Sequence, residues 1–346
     1  MGKSLQKRRL ERVVGDVGLE LVKEARRARP RIMDPDDPEG LHDFRVALRR
    51  LRAWLQAYRQ QPGVEVPKTL RRDLRDLART TNAARDGEVM LVWLDEHSPG
   101  LPVRQHRAAK WWRQHLEAQL AEAYAEADAA IQSRFPELER RLRTQLEAIQ
   151  AGKFRKKATG KKAAGKKAAG KKPRSGGRGE APPRFGEATA RVLDELRERL
   201  ETEVAAVVSV EDAESLHRPR ITGKRLRYLL RPWRKVSADC HQAERAMKAF
   251  QDAFGVLHDD LVREAAMQAA AREHSHQDVA ERLAAAARGQ AGQARAPAHL
   301  RGFMDLLNDH RGRVERHFDE AMGAAGLEGI EALSVRLRRA GEAMRR

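Results

Sequence analysis

Apolar residues recur along almost the whole chain at intervals of three and four, with Arg, Glu, Gln and Ala filling the positions between them. That spacing draws one apolar stripe down a helix, and the intervening residues are strong helix formers. Strand-like alternation of β-branched residues is absent. The pattern predicts helices over Leu5–Arg29, Leu41–Arg59, Lys68–Thr80, Ala84–His97, Val103–Ser133 and Pro136–Gln150 in the first half. In the second half it predicts Phe185–Val208, Glu214–Lys235, His241–Phe254, Asp259–His274, Asp278–Arg288, Ala298–Ala321 and Leu327–Arg345. Breaks fall at Gly, Pro or short polar stretches such as Met33–Gly40 (MDPDDPEG), which cannot continue a helix. The expected class is all-α.

One stretch is written twice. Leu41–Arg59, LHDFRVALRRLRAWLQAYR, returns 175 positions later as Leu216–Arg234, LHRPRITGKRLRYLLRPWR, with eight of nineteen positions identical. On a helix, His42, Arg45, Arg49 and Arg52 share one face, opposite a seam of Phe44, Ala47, Leu48, Leu51, Trp54, Leu55 and Tyr58. In the second copy His217, Arg220, Lys224 and Arg227 fall together, opposite Leu226, Leu229, Leu230 and Trp233. Each copy thus carries an apolar seam for packing and a basic stripe.

A basic stripe is ordinarily a solvated face, ion-paired to acids one turn away. Here no acid occurs within Arg45–Arg59 or within His217–Lys235, so nothing within those stretches compensates the repulsion between like charges. An anion would. Arginine presents a planar fork of donors to phosphate oxygens and stays charged at any cellular pH. Forks repeated every helical turn, ~5.4 Å apart, suit an extended phosphate chain better than one small phosphate. Neither a Walker-type phosphate loop nor a dinucleotide fingerprint is present, which argues against nucleotide binding.

Charge sharpens this picture. The net charge is +19, and Lys153–Glu180 holds twelve Lys/Arg against one Glu, so +11 of it sits in that short run. Within it the pairs Lys156-Lys157, Lys161-Lys162, Lys166-Lys167 and Lys171-Lys172 repeat every five residues, a period that matches no helical face. The run offers little to bury and reads as a disordered polyanion tether. The expected organisation is a first helical repeat over 1–151, a Lys/Ala/Gly-rich insert over 152–183 and a second repeat over 184–346. The single cysteine, Cys240, excludes an internal disulfide and a multi-cysteine zinc site. Without a membrane-length apolar run or a signal-peptide core, a cytoplasmic location is expected.

At these motifs the chain resembles the CHAD (conserved histidine α-helical) domain family. The first signature is LHDFRVALRRLR followed by LARTTNAARDGEVML, the second LHRPRITGKRLRYLL followed by FQDAFGVLHDDLV, in order and on both sides of the insert. The resemblance implies two pseudo-symmetric helical bundles from an internal duplication, around a basic central groove or pore that binds inorganic polyphosphate. Carried over by position, it implies contacts from His42, Arg45, Arg49, Arg50 and Arg52 and from His217, Arg220, Lys224, Arg225 and Arg227, with the Tyr228 hydroxyl beside the second stripe. Asn82, where the first repeat often has glycine, Pro219 in the second motif's first turn and Gly223 in its interior depart from the family pattern. Family members occur alone or fused to a triphosphate-tunnel enzyme domain; the sequence leaves no such domain over, and no enzymatic activity or cofactor is expected. Polyphosphate-metabolising enzymes and polyphosphate granules are the associated partners and location to test.

Two other readings stay open. A nucleoid-associated protein would use the Lys-rich run on DNA. A metal-dependent phosphohydrolase would use the His42-Asp43 and His258-Asp259 dipeptides, but their repeat equivalents are His217-Arg218 and Arg85-Asp86, and an arginine cannot hold a metal. Asp86 and Asp259 are expected to cap a helix or orient a basic side chain. Trp93, Trp111 and Trp112 read as core, which leaves stacking of bases poorly supported; His274 and His276 read as solvated.

Overall fold

The computed structural model describes residues 5–34, 36–37, 39–154, 184–290, 298–325 and 327–346. Among them all regular structure is helical, and the only β-pairing is an isolated bridge between Arg9 and Arg184. The helices are α1 (Leu10–Ala28), α2 (Gly40–Ala57), α3 (Lys68–Thr80), α4 (Asn82–His97) and α5 (Val103–Gln150), then α6 (Phe185–Ala205), α7 (Ala213–Leu230), α8 (Ala238–Ala287), α9 (Ala298–Ala325) and α10 (Leu327–Arg345). The Lys-rich run lies, from residue 155 on, outside the described residues.

The long helices depart most from the sequence pattern. α5 runs unbroken through Pro136, which removes one backbone bond at a cost of roughly 3 kcal/mol. The buried run Ala127, Ile131, Phe135, Leu138 and Leu142 carries the helix across it, and Phe135 meets Phe44 of α2 edge-on at 5.0 Å. Where three helices are predicted, α8 is one of 50 residues. Its buried positions, Cys240, Ala243, Met247, Phe250, Phe254, Leu257, Asp260, Arg263, Met267 and Ala270, step by three or four without a gap, so the stripe passes Gly255 unbroken. Pro219 sits more than a turn into α7 rather than in its first turn.

In the first half α1 packs on α2 and α5, with α3 and α4 also against α5; in the second α6 packs on α7 and α10, and α8 on α9 and α10. α1 approaches α5 so closely that a Cβ on Gly15 would lie 2.6 Å from Gln150 Cβ. α5 ends where Gly152 takes a left-handed φ of 69°.

The halves share one core. Phe185 of α6 stacks on Trp233 at 5.0 Å and packs beside Trp54 and Tyr58, whose hydroxyl pairs with Thr189 Oγ1 at 2.9 Å. A second apolar cluster, of Trp93, Leu94, Trp112, Leu116, Met267 and Phe303 among others, joins α4 and α5 to α8 and α9. Between the halves α2 also lies against α7. No helix among the described residues is long and apolar enough to cross a membrane.

Candidate functional site

Three helices bury their apolar sides and bring their basic sides together. α2 buries Phe44, Leu48, Leu51 and Leu55; α7 buries Leu216, Leu226 and Leu229; α3 buries Leu70, Leu74 and Leu77. The faces left over enclose a cleft of about 640 Å³. From α2 it takes Arg49, Arg52, Ala53, Leu55 and Gln56; from α3 Lys68, Arg71, Arg72, Leu74 and Arg75; from α7 Arg220, Ile221, Lys224, Arg225 and Tyr228. Nine of these fifteen residues are Lys or Arg, and none is acidic. α7 can sit this close to α8 because Gly223 has no side chain: a Cβ there would be 3.1 Å from the Phe250 ring.

Of the residues predicted from the two motifs, Arg49, Arg52, Arg220, Lys224, Arg225 and Tyr228 line the cleft. Arg49 donates from Nε to the Tyr228 hydroxyl at 2.9 Å, tying α2 to α7 across it. One turn earlier on α2, Arg45 donates from Nη1 to Thr81 Oγ1 (2.6 Å) and Asn82 Oδ1 (3.1 Å) at the start of α4. His42 is half-buried and does not line the cleft. Arg50 and Arg227 are engaged elsewhere. Arg50 Nη1 lies 2.6 Å from Glu24 of α1, and Arg227 reaches Glu244 (3.5 Å) and Gln251 (3.3 Å) of α8. The acids missing from each stripe are therefore supplied in part by neighbouring helices, which the stripe on its own does not reveal.

The pair Asp86 and Asp259 sits among these cations. Asp259 Oδ1 is 3.6 Å from Arg220 Nη2. Burial raises the Asp86 pKa above the ordinary carboxylate range; Arg45 opposes this and the nearby Asp259 adds to it. His217 lies beside His258 with ring centroids 5.3 Å apart and the rings tilted by 36°. Burial, then Arg220, His217 and Lys224, brings His258 down to about 3, so it is neutral at physiological pH.

The cleft is strongly cationic and incompletely satisfied. Lys224 is pushed down to about 7, by burial first and then by Arg220 and Arg49. Arg52 is lowered by burial and by Arg75, Arg79 and Arg225 around it. Among the described residues Arg49, Arg52, Lys68, Arg71, Lys224 and Arg225 form no ion pair. The Nε groups of Arg71 and Arg220 are buried without a hydrogen-bond partner. Buried donors are normally paired, at a cost of about 1–3 kcal/mol when they are not. Among the described residues no group of three or more His, Cys, Asp or Glu is placed to hold a metal ion.

The α3 face is the part that motif reading misses. Lys68, Arg71, Arg72, Arg75 and Arg79 follow helical spacing opposite Leu70, Leu74 and Leu77, so the signal is in the sequence. It repeats only in part: in the second half Glu244 stands at the position of Arg71 and Asp252 at that of Arg79, while Arg245 and Lys248 match Arg72 and Arg75. A search guided by duplication passes over it. His274 is also not simply solvated, since its ring lies 4.5 Å from Trp111. Trp93 and Trp112 are buried as expected.

A model of the CHAD domain family matches residues 18–268. The fold is similar to the crystal structure of the CHAD domain from the plant Ricinus communis, with a TM-score of 0.61 and 19% identity over 96% of this chain and 92% of that one. It is also similar to PptA from Streptomyces chartreusis, with a TM-score of 0.53 and 18% identity over 91% of this chain and 99% of that one. No curated protein matches the sequence.

Proposed function

We propose that this chain, which belongs to the CHAD domain family, binds inorganic polyphosphate in the cleft between α2, α3 and α7 and does so without catalysis. The observation that carries this reading is the lining itself: no acid and nine Lys and Arg side chains, six of which form no ion pair among the described residues. Such a surface is costly until an anion fills it. A linear anion fits better than a compact one, because the cations come from three helices rather than from one point. Polyphosphate carries charge on each unit and no base. The lining holds one aromatic, Tyr228, and its hydroxyl already accepts from Arg49, so it offers no platform for successive bases.

In this reading Arg49, Arg52, Arg220, Lys224 and Arg225 hold phosphate oxygens from two sides, and Lys68, Arg71, Arg72 and Arg75 from a third. Arg45 and Asp86 position Arg49's surroundings, and Asp259 positions Arg220. We read the two halves as copies of one unit, with the Lys-rich run as a tether that raises capture rate. Recruitment to polyphosphate granules or to polyphosphate-processing enzymes would follow from binding.

The test is calorimetric titration of the full chain with long-chain polyphosphate, with duplex DNA as competitor. The expected result is saturable binding that weakens steeply with salt and that DNA does not displace at equal phosphate concentration. Absence of binding, or displacement by DNA together with loss of most binding when 155–183 is deleted, would replace this reading with the DNA-binding one.

A further inference from the structure

We infer that the anion track does not end in the cleft but continues past the carboxyl end of α2 into a second, smaller subsite formed by Arg59, Arg199 and Arg225, which takes further phosphate units of the same chain. This rests on the polyphosphate reading and adds a direction and a length preference to it. A cavity of about 170 Å³ adjoins the cleft and shares Ala53, Gln56 and Arg225 with it. Arg225 thus lines both, and an extended anion leaving the cleft on that side meets Arg59 and Arg199 next.

Both arginines are available. Arg59 is exposed and makes no ion pair among the described residues; with the Gln56 amide turned so that its oxygen faces it, Arg59 donates from Nε (3.2 Å) and Nη1 (3.0 Å). A neutral partner aims the guanidinium without cancelling its charge. Arg199 is held by Glu203 at 2.6 Å yet remains 56% exposed, leaving donors free for a second acceptor. Glu195 is the one acid in the lining, and with Glu203 on Arg199 two carboxylates stand against three guanidiniums there.

Sequence sets the two halves apart here. The first-half position equivalent to Arg199 is Glu24, and Glu24 neutralises Arg50, the counterpart of Arg225. Where the first half closes its end with an ion pair, the second half presents another cation.

Arg59→Glu tests this in the full chain, because Arg59 is exposed and its replacement leaves the core untouched. Arg59→Ala with Arg199→Gln is the second variant, and Arg234→Glu, at the equivalent exposed position of the second copy, controls for overall charge. Each is titrated with inorganic tripolyphosphate and with long-chain polyphosphate at several salt concentrations. The inference expects on the order of tenfold weaker long-chain binding for Arg59→Glu and for the double variant, with a salt slope smaller by about one per cation removed. Tripolyphosphate binding should be unchanged, and Arg234→Glu should behave as wild type. Equal losses for both ligands, no loss for either, or an equal loss in Arg234→Glu would overturn it while leaving the cleft reading intact. Failure of the wild-type chain to bind long-chain polyphosphate would remove both.

Discussion

The two motif helices carry the same arginines and spend them differently. In α2, Arg50 is taken by Glu24 and Arg52 is left facing Arg75, Arg79 and Arg225. In α7 the assignment is reversed: Arg227, the counterpart of Arg52, is taken by Glu244 and Gln251, while Arg225, the counterpart of Arg50, lies near Arg199, Glu203 and Arg59 without an ion pair among the described residues. One residue on a neighbouring helix decides each outcome. Glu244 stands where the first half has Arg71, and Glu24 where the second half has Arg199. The motif supplies cations in pairs, and the neighbours choose which of each pair stays available. Both available members, Arg52 and Arg225, line the same cleft.

The strongest way to break this comparison is to exchange the charges it ranks as free. Arg52→Glu with Arg225→Glu should weaken long-chain polyphosphate binding by at least about 3 kcal/mol, since each removes a charge-assisted contact and adds repulsion. Arg50→Ala with Arg227→Ala should cost less than about 1 kcal/mol in binding. Its loss should appear in stability, about 1–3 kcal/mol in denaturant unfolding, because the largely buried Glu244 is left without a cation. Equal binding losses in the two double variants would erase the distinction.

A smaller effect sharpens the same point. Glu244→Gln releases Arg227 without removing it, and should tighten polyphosphate binding by about twofold to fivefold at low salt, within the range of a partly screened charge. Unchanged affinity would mean that Arg227 points away from the ligand whether or not it is paired.

The pH dependence concerns the α7 side. In the free protein Lys224 is down at about 7, against 10.5 unfolded. Below about pH 7 both states are charged and the burial penalty is fully present; as pH rises from 7 to 10.5 the unfolded chain binds more protons, so this residue's contribution raises stability. A phosphate beside it acts the other way, favouring the charged form. Binding near pH 8 should therefore take up protons, read as a buffer-dependent heat in calorimetry, and Lys224→Met should abolish that uptake. The smallest equilibrium effect is expected from deleting residues 155–183: association slower by up to about twofold at low salt with the dissociation rate unchanged, and affinity weaker by the same factor.

How much of this was legible in the sequence depends on whether a feature is local. The helical class was, because stripes such as Leu70, Leu74 and Leu77 are written in one segment. The continuity of α8 was also present, in the unbroken step from Phe250 through Leu257 to Met267, but local breakers such as Gly255 argued against it and tertiary burial prevailed. The basic stripes were legible as faces. Which of their arginines are free was not, since Glu24 lies 26 positions from Arg50 and nothing in either segment records their meeting. The α3 face was visible but only partly repeated, and the cavity at Arg59 and Arg199 arises only once α2 lies beside α6 and α7.

The central claim is that one cleft, lined from both halves, holds the phosphate chain. The most direct measurement is a crystal structure of the full chain grown with polyphosphate. The account predicts continuous phosphate density within about 2.7–2.9 Å of the donors of Arg49, Arg52, Arg71, Lys224 and Arg225, with Arg50 and Arg227 still on Glu24 and Glu244. Polyphosphate bound on another surface, with the cleft unchanged and those arginines uncontacted, would contradict it.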